Sequence, residues 1–87
     1  MSELRAGTPI SVAGITLIPI ERLWMHAEKQ PHAVWLSASK AAVAVVICDP
    51  QGPRAVDVHA HEQSVEALVT EIPALATLLT EFYPHRK

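Results

Sequence analysis

The chain has a single cysteine, Cys48, and only three glycines among its 87 residues. One cysteine forms neither an intrachain disulfide nor a cysteine-based zinc cage. The longest apolar run, residues 41–48, is far shorter than the roughly 20 residues that a membrane-spanning helix needs. The first residues contain no apolar stretch of the signal-peptide type. We therefore expect a soluble cytoplasmic protein that does not bind a membrane.

Clustered positive charge is also missing. The net charge is −2, and the seven Lys and Arg residues are dispersed except for the adjacent Arg86 and Lys87. Nucleic-acid binding requires grouped cations that displace counterions from phosphates, so we expect no nucleic-acid partner.

Apolar residues, in contrast, are abundant and make up 49% of the chain. So short a chain has too little interior to bury all of them, so some stay exposed or meet a partner.

Two short strands are predicted around Ala13 and Gly14, over residues 8–12 and 15–20. Glycine adopts a positive φ at little cost, which favours a tight hairpin. Residues 21–30 fit a helix and a strand alike, because good helix formers there also alternate between apolar and polar positions. We favour a strand that continues to about His26, followed by a turn over residues 28–31.

Two further strands are predicted over residues 33–39 and 42–48, joined by a turn at residues 39–41. The second is apolar on both faces, so we expect it to be central in the sheet. Asp49, Pro50 and Gly52 occupy positions typical of a type I turn, which predicts a return strand over residues 54–59.

From Val65 onward the apolar residues recur at helical spacing as far as Phe82, with Ser64, or the residues His61 and Glu62 before it, as the predicted N-cap. Pro73 interrupts this pattern, so either one helix kinks there or a second helix begins with Pro73 in its first turn. The sequence predicts one α+β domain over residues 1–87, with an ordered core at about 7–83. Its expected architecture is a small, mostly antiparallel sheet of four to five strands with a C-terminal helix, or a kinked helix pair, on one face.

Three segments resemble a known family. Residues 7–20, residues 42–58 and residues 64–73 are similar in order to the opening strands, the later apolar hairpin and the closing helix of the sporulation-protein YtfJ family. The resemblance extends from about Gly7 to Phe82 and implies the same fold and a non-enzymatic role. The family's long glycine-rich middle segment is missing here, because residues 23–40 contain no glycine, so nothing that depends on that segment is implied.

The candidate metal ligands are Asp57, His59 and His61. If the strand continues through His61, all three point to one side, because side chains alternate along a strand. Two imidazoles and a carboxylate are suitable ligands for zinc or nickel. The competing interpretation is a solvated edge strand that binds no metal. No other cofactor is predicted.

Trp24 and Trp35 are the candidate interface residues. Both lie on segments predicted to be strands, and the turn between them favours a cross-strand pair. Aromatic residues often dominate binding surfaces, which makes the two tryptophans a possible platform for a partner. The alternative is that they fill the core beneath the helix.

Two other features have structural explanations. The apolar setting of Cys48 and the adjacent Asp49 both raise a thiol pKa, so we expect a structural thiol rather than a reactive one. The acidic residues of the helical region suit either a solvated face or a basic partner. These acidic residues are Glu62, Glu66, Glu71 and Glu81.

The apolar central strand leads to the functional hypothesis. One helix layer covers one sheet face only, so the other face requires a second copy of the chain. The sequence therefore predicts a homo-oligomer, with a dimer favoured, and a non-enzymatic interaction or assembly module, with a further protein partner possible. The alternatives are a metal-binding protein that uses His59 and His61, and a thiol enzyme that uses Cys48 with a histidine.

Overall fold

A computed structural model describes the backbone of residues 2–30 and 33–84 and the side chains of residues 2–25 and 39–84. It contains a mostly antiparallel sheet and two C-terminal helices, which confirms the predicted α+β fold. The elements are β1 (Ser2–Ala6), β2 (Ile10–Val12), β3 (Ile15–Gln30), β4 (Ala33–Asp49), β5 (Gly52–Asp57), β6 (Glu62–Gln63), α1 (Val65–Glu71) and α2 (Pro73–Phe82). The strand order is β1-β3-β4-β5-β6, and β2 also pairs with β3.

Both predicted tight turns are confirmed. Ala13 and Gly14 have φ angles of 52° and 81°, and two positive φ values define the turn that best matches the twist of a hairpin. At the second turn, the carboxylate of Asp49 accepts a hydrogen bond from the backbone N–H of Gln51 at 2.9 Å. Gly52 follows with a φ of 124° and starts β5.

The two long central strands differ from the prediction. β4 runs unbroken from Ala33 to Asp49, so the turn expected at residues 39–41 is wrong, and β3 continues to Gln30 through the turn expected at 28–31. Residues 39–41 contain no Gly, Asn or Asp, the residues that most readily adopt the positive φ of a tight reversal. Pro31, the last residue of the other expected turn, lies outside the described residues. The irregularity that does occur is a shift of register between Ile20 and Glu21, at which Val43 is the extra residue of β4.

The sheet also has more strands than the four to five expected. β1 pairs along β3, with Leu4 opposite Arg22 and Ala6 opposite Ile20. Its sequence, Ser-Glu-Leu-Arg-Ala, has little β-forming character, and the sequence does not predict it. Pairing with β3 and the inward packing of Leu4 and Ala6 stabilise it instead.

The helical region consists of two helices rather than one kinked helix. α1 is capped by Ser64, whose hydroxyl oxygen accepts a hydrogen bond from the backbone N–H of Ala67 at 3.1 Å. α2 begins at Pro73, where the missing N–H would have had no helical partner in any case. Of the two alternatives that the sequence leaves open, a new helix at Pro73 is therefore confirmed.

The core lies between the helices and one face of the sheet. Ile18, Ile20, Val46 and Leu75 are completely buried, and burying side chains of this kind stabilises the fold by about 1.5–3 kcal/mol each. The remaining core residues are Cys48, Ala55 and Ile72. The helical stripe predicted from the sequence thus supplies the cover for this face.

Strands β3 and β4 continue as a ribbon beyond Ser2 of β1, which pairs with Trp24, and beyond Asp57 of β5, which pairs with Ala44. We call residues 25–30 and 33–42 of this ribbon the arm. The arm makes the molecule long, with extents of 56 × 26 × 24 Å and a radius of gyration of 15.9 Å. A compact domain of this length would have a radius of gyration of about 12 Å. Among the described residues, no helix is long and apolar enough to cross a bilayer.

Candidate functional site

The sheet face that points away from the helices is the largest functional candidate. Residues opposite each other in an antiparallel pair lie on the same face, and side chains alternate along each strand. Because Ile18, Ile20, Val46 and Ala55 face the helices, their neighbours in the strands face the other way. We call this surface the open face; it consists of Ile10, Val12, Ile15, Leu17, Val45, Ile47 and Val56.

The open face is continuous across four strands. One row joins Ile10 of β2 to Leu17 of β3 and Ile47 of β4, and a second joins Val45 to Val56 of β5. Ile10 is 54% exposed, Val12 is 57% exposed and Ile15 is 38% exposed. None of the described helices covers these residues, since the hydrophobic side chains that pack on the core do not include them. Contiguous exposed apolar residues of this kind mark interaction surfaces.

Charged side chains border the open face at both ends, and they are paired within the chain. Glu21 lies 3.6 Å from the Nε of Arg5 and 3.6 Å from the Nζ of Lys40. At the other end, Arg54 lies 3.1 Å from Asp49. Exposed pairs of this type contribute little to stability, about 0–1 kcal/mol. Their arrangement around an apolar centre is, however, the arrangement of a specific protein interface.

The two tryptophans do not form the predicted cross-strand pair. Trp24 is opposite Ser39, and Trp35 is opposite Glu28, so the two positions are four residues apart along the ribbon. Trp24 belongs to the helix side of the sheet, because it follows Ile18, Ile20 and Arg22 in alternation, and it is half-buried. The side chain of Trp35 lies outside the described residues.

Asp57, His59 and His61 form a tight turn rather than a strand face. β5 ends at Asp57, so the condition for placing all three side chains on one side of a strand is not met. One carboxylate oxygen of Asp57 accepts hydrogen bonds from the backbone N–H groups of His59 and His61, at 2.8 and 2.9 Å. The other accepts from the side-chain amide of Gln63 at 3.1 Å. Asp57 therefore organises the connection from β5 to β6.

The histidine rings lie near this carboxylate. The ring centroids of His59 and His61 are 6.3 Å apart, and the Nδ1 of His61 is 3.6 Å from Asp57. Within residues 2–30 and 33–84, no group of three or more His, Cys, Asp or Glu side chains is arranged to hold a metal ion. Metal binding by His59 and His61 stays a prediction.

The pH dependence of this turn is predictable. The hydrogen bond from the backbone N–H of His61, with a second from His59, holds the pKa of Asp57 below its usual value of 3.8. A carboxyl group whose pKa is lower in the folded chain adds stability above its unfolded pKa and loses it as the pH falls through the folded pKa. We expect Asp57→Asn to be less stable than the wild type at neutral pH, with a difference that shrinks below pH 3.8.

Urea unfolding of the two proteins across the acid range measures this difference. The asparagine side chain of the variant retains one acceptor oxygen for the two backbone N–H groups, so the variant removes the charge and the hydrogen bond from Gln63. A difference that persists unchanged at the lowest pH at which both proteins fold would contradict the assignment.

Cys48 lies in the core beside the end of α2 and is only 5% exposed. Burial, and to a smaller extent the charge of Asp49, raise the pKa of its thiol, against a hydrogen bond with Tyr83 that lowers it. Tyr83 also donates its hydroxyl proton to the backbone carbonyl of Asp49. A raised pKa and low exposure are the opposite of what a nucleophilic cysteine requires, in agreement with the structural role expected from the sequence.

The acidic residues of the helical region are all exposed: Glu62, Glu66, Glu71 and Glu81.

The sequence pattern that predicts the exposed part of the open face is present, although Ile10, Val12 and Ile15 are not among the predicted site residues. Ile10 and Val12 alternate with Ser11 and are joined to Ile15 by a tight turn, which places all three on one face of a hairpin. No protein-family model, curated protein or solved structure matches this chain, and the resemblance to the YtfJ family stays a prediction.

Proposed function

We propose that this protein is a non-enzymatic assembly module that associates with a second copy of itself through the open face. The observation that supports this most directly is the continuous apolar surface of four strands on the side of the sheet opposite the helices. Leaving such a surface in water is unfavourable, since each square ångström of buried apolar area contributes about 25 cal/mol. A second copy brings the same surface and so offers an equally apolar contact.

The exposed area of the chain supports this proposal. The accessible surface is 6442 Å², whereas a compact monomer of 9.5 kDa exposes about 5,000 Å². The surplus of about 1,400 Å² exceeds the roughly 800 Å² that each partner contributes to a standard interface.

The charges around the open face favour a copy of the same chain over a strongly charged partner. Each end of the face carries both signs, with Glu21 between Arg5 and Lys40 and with Asp49 beside Arg54. Two such faces meet without an excess of like charge at the centre. In an isologous interface the rim of one copy meets the rim of the other. These ion pairs therefore lie at the border of the contact, where their charges stay in contact with water.

Substitution of one exposed residue of the open face tests the proposal. Ile15→Lys should weaken association at least about tenfold, because a lysine in the contact replaces buried apolar area by a charge in each copy. Phe82→Lys is the matched control: Phe82 is 37% exposed, Ile15 is 38% exposed, and Phe82 lies on α2. Sedimentation equilibrium gives the association constants, and far-UV circular dichroism verifies the fold.

The result that supports the proposal is a self-associating wild type, a folded Ile15→Lys variant that associates more weakly, and a Phe82→Lys variant like the wild type. A wild type that is monomeric at high micromolar concentration would overturn it. Equal weakening by both substitutions would show that association depends on general apolar exposure and not on the open face.

A further inference from the structure

The arm presents a second surface, which is a strand edge and not a sheet face. β4 pairs with β3 along its whole length, but with β5 only from Ala44 to Asp49. One further bond, from the backbone N–H of Val58 to the carbonyl of Val43, closes the sheet at that point. On the same side, residues 33–42 of β4 have no strand partner in the described part of the chain. This stretch is a long free edge.

The sequence of this edge lacks the usual protection. Free edges of natural sheets are typically blocked by charged residues, proline, bulges or short length. From Ala33 to Ser39 the edge contains no charged residue, no proline and no glycine. The neighbouring strand of the arm differs, because residues 25–30 of β3 include Glu28 and Lys29. Of the two edges of the arm, only that of β4 therefore has the composition of a strand that pairs.

The arm also needs a partner for its own stability. A two-stranded ribbon is marginally stable in water unless a third strand or a helix packs on it. Over residues 25–30 and 33–38 no third strand pairs with the ribbon within the described chain, and over residues 39–42 the third strand is β1, which pairs with β3 and leaves the edge of β4 free. A third strand would supply hydrogen bonds to the free backbone groups of β4 and would hold the arm in the extended form that gives the molecule its 56 Å length.

We propose that residues 33–42 of β4 pair antiparallel with the same segment of a second copy, so that one sheet runs through both molecules. A strand pairs with itself in this way around a two-fold axis perpendicular to the sheet, which is a closed, isologous contact. The stretch from Ala33 to Ser39 is uncharged and meets its own copy without repulsion, and Lys40 is already paired with Glu21 of its own chain at 3.6 Å. No unpaired charge on the edge therefore favours a different, charged partner. The pairing goes beyond the proposed function, because it uses a different surface and does not require the open face.

Single cysteines introduced along the edge locate the axis. The native Cys48 is buried, so wild type serves as the control that should form no crosslinked dimer. In each variant one residue from positions 34–41 is replaced by cysteine, for example Ser37→Cys, Ala38→Cys and Ser39→Cys, and the protein is oxidised mildly. Disulfides need Cα atoms within about 7 Å, and residues opposite each other in an antiparallel pair are about 4.5–5.5 Å apart.

Pairing around a two-fold axis predicts a sharp profile. If the axis passes through a residue, only that residue lies within disulfide distance of the same residue in the second copy. If the axis passes between two adjacent residues, each of these two lies within that distance of its counterpart. A residue two positions from the axis is four residues out of register with its copy, a separation of about 13 Å, and should not crosslink. Met25→Cys, on the other strand of the arm, should not crosslink either.

The outcomes separate this inference from the proposed function. A single maximum along β4 supports edge pairing, whether or not Ile15→Lys dissociates the protein. Uniform or absent crosslinking in a protein that self-associates would overturn edge pairing and leave the open face as the contact. Uniform or absent crosslinking in a monomeric protein would overturn both.

Discussion

Replacing Val46 by alanine should lower the free energy of unfolding by about 2–3 kcal/mol, through the loss of buried methyl groups and the cavity that they leave. Val46 is completely buried against the helices. Its neighbour Val45 belongs to the open face, opposite Val56. Val45→Ala removes the same atoms from the other side of the same strand, which makes it an internal control for the chemistry of the change.

The two variants should respond differently to protein concentration. The cost of Val46→Ala arises within one chain, so the gap between its urea midpoint and that of the wild type should not depend on concentration. The cost of Val45→Ala should grow as the concentration rises, because association through the open face stabilises the folded state by mass action. Urea unfolding at low and high micromolar concentrations measures both. A constant gap for Val45→Ala would show that its side chain is not in a contact between copies.

The turns, the helices and the helix-facing core are the parts of the fold that the sequence predicts. Each depends on interactions between residues close in the chain: two positive φ angles at Ala13 and Gly14, the hydroxyl of Ser64 three residues before the amide that it caps, and Pro73 at the start of α2. Propensity and spacing describe such local interactions well.

The long strands and β1 are not predictable in the same way, because they depend on pairing between distant residues. The turn at residues 39–41 is predicted together with an end of β3 near His26, which would leave the first part of β4 without a partner. Once β3 runs to Gln30, every residue of β4 from Ala33 to Ala42 has a partner on it. β1 is an extreme case, since its polar sequence becomes a strand only beside β3. Tertiary context decides such segments more than their own propensity does.

The same contrast applies to the candidate sites. The sequence identifies an apolar strand with two apolar faces, and hence the need for a second cover, but it places the contact at the tryptophans. The register places Trp24 on the helix side, opposite Ser39, and the exposed apolar residues of the other face come from the first hairpin instead. The metal hypothesis depends on the end of β5. The sequence predicts that β5 continues through His59, whereas the carboxylate of Asp57 turns the chain there.

The arm gives Trp35 a different role from the one that cross-strand pairing suggested. Trp35 lies on the free-edge segment of β4 and is opposite Glu28 of β3. If β4 pairs with its own copy, position 35 belongs to the strand at the centre of the contact. Large aromatic residues in central positions of interfaces often account for about 2 kcal/mol or more of binding, which is about thirtyfold in the dissociation constant.

Trp35→Lys should therefore break the edge contact, which lowers the average mass at micromolar concentration, and should leave the helix-covered sheet folded. Lysine is the suitable replacement, because glutamate at this position would be directly opposite Glu28, and like charges across a strand pair destabilise the ribbon itself. Met25→Lys is the control, since Met25 lies on the other strand of the arm and is already 49% exposed. Light scattering reports the mass and far-UV circular dichroism the fold. A Trp35→Lys variant that unfolds outright would assign Trp35 to the packing of its own chain, and one that stays folded with the same average mass as the wild type would exclude the arm from the contact between copies.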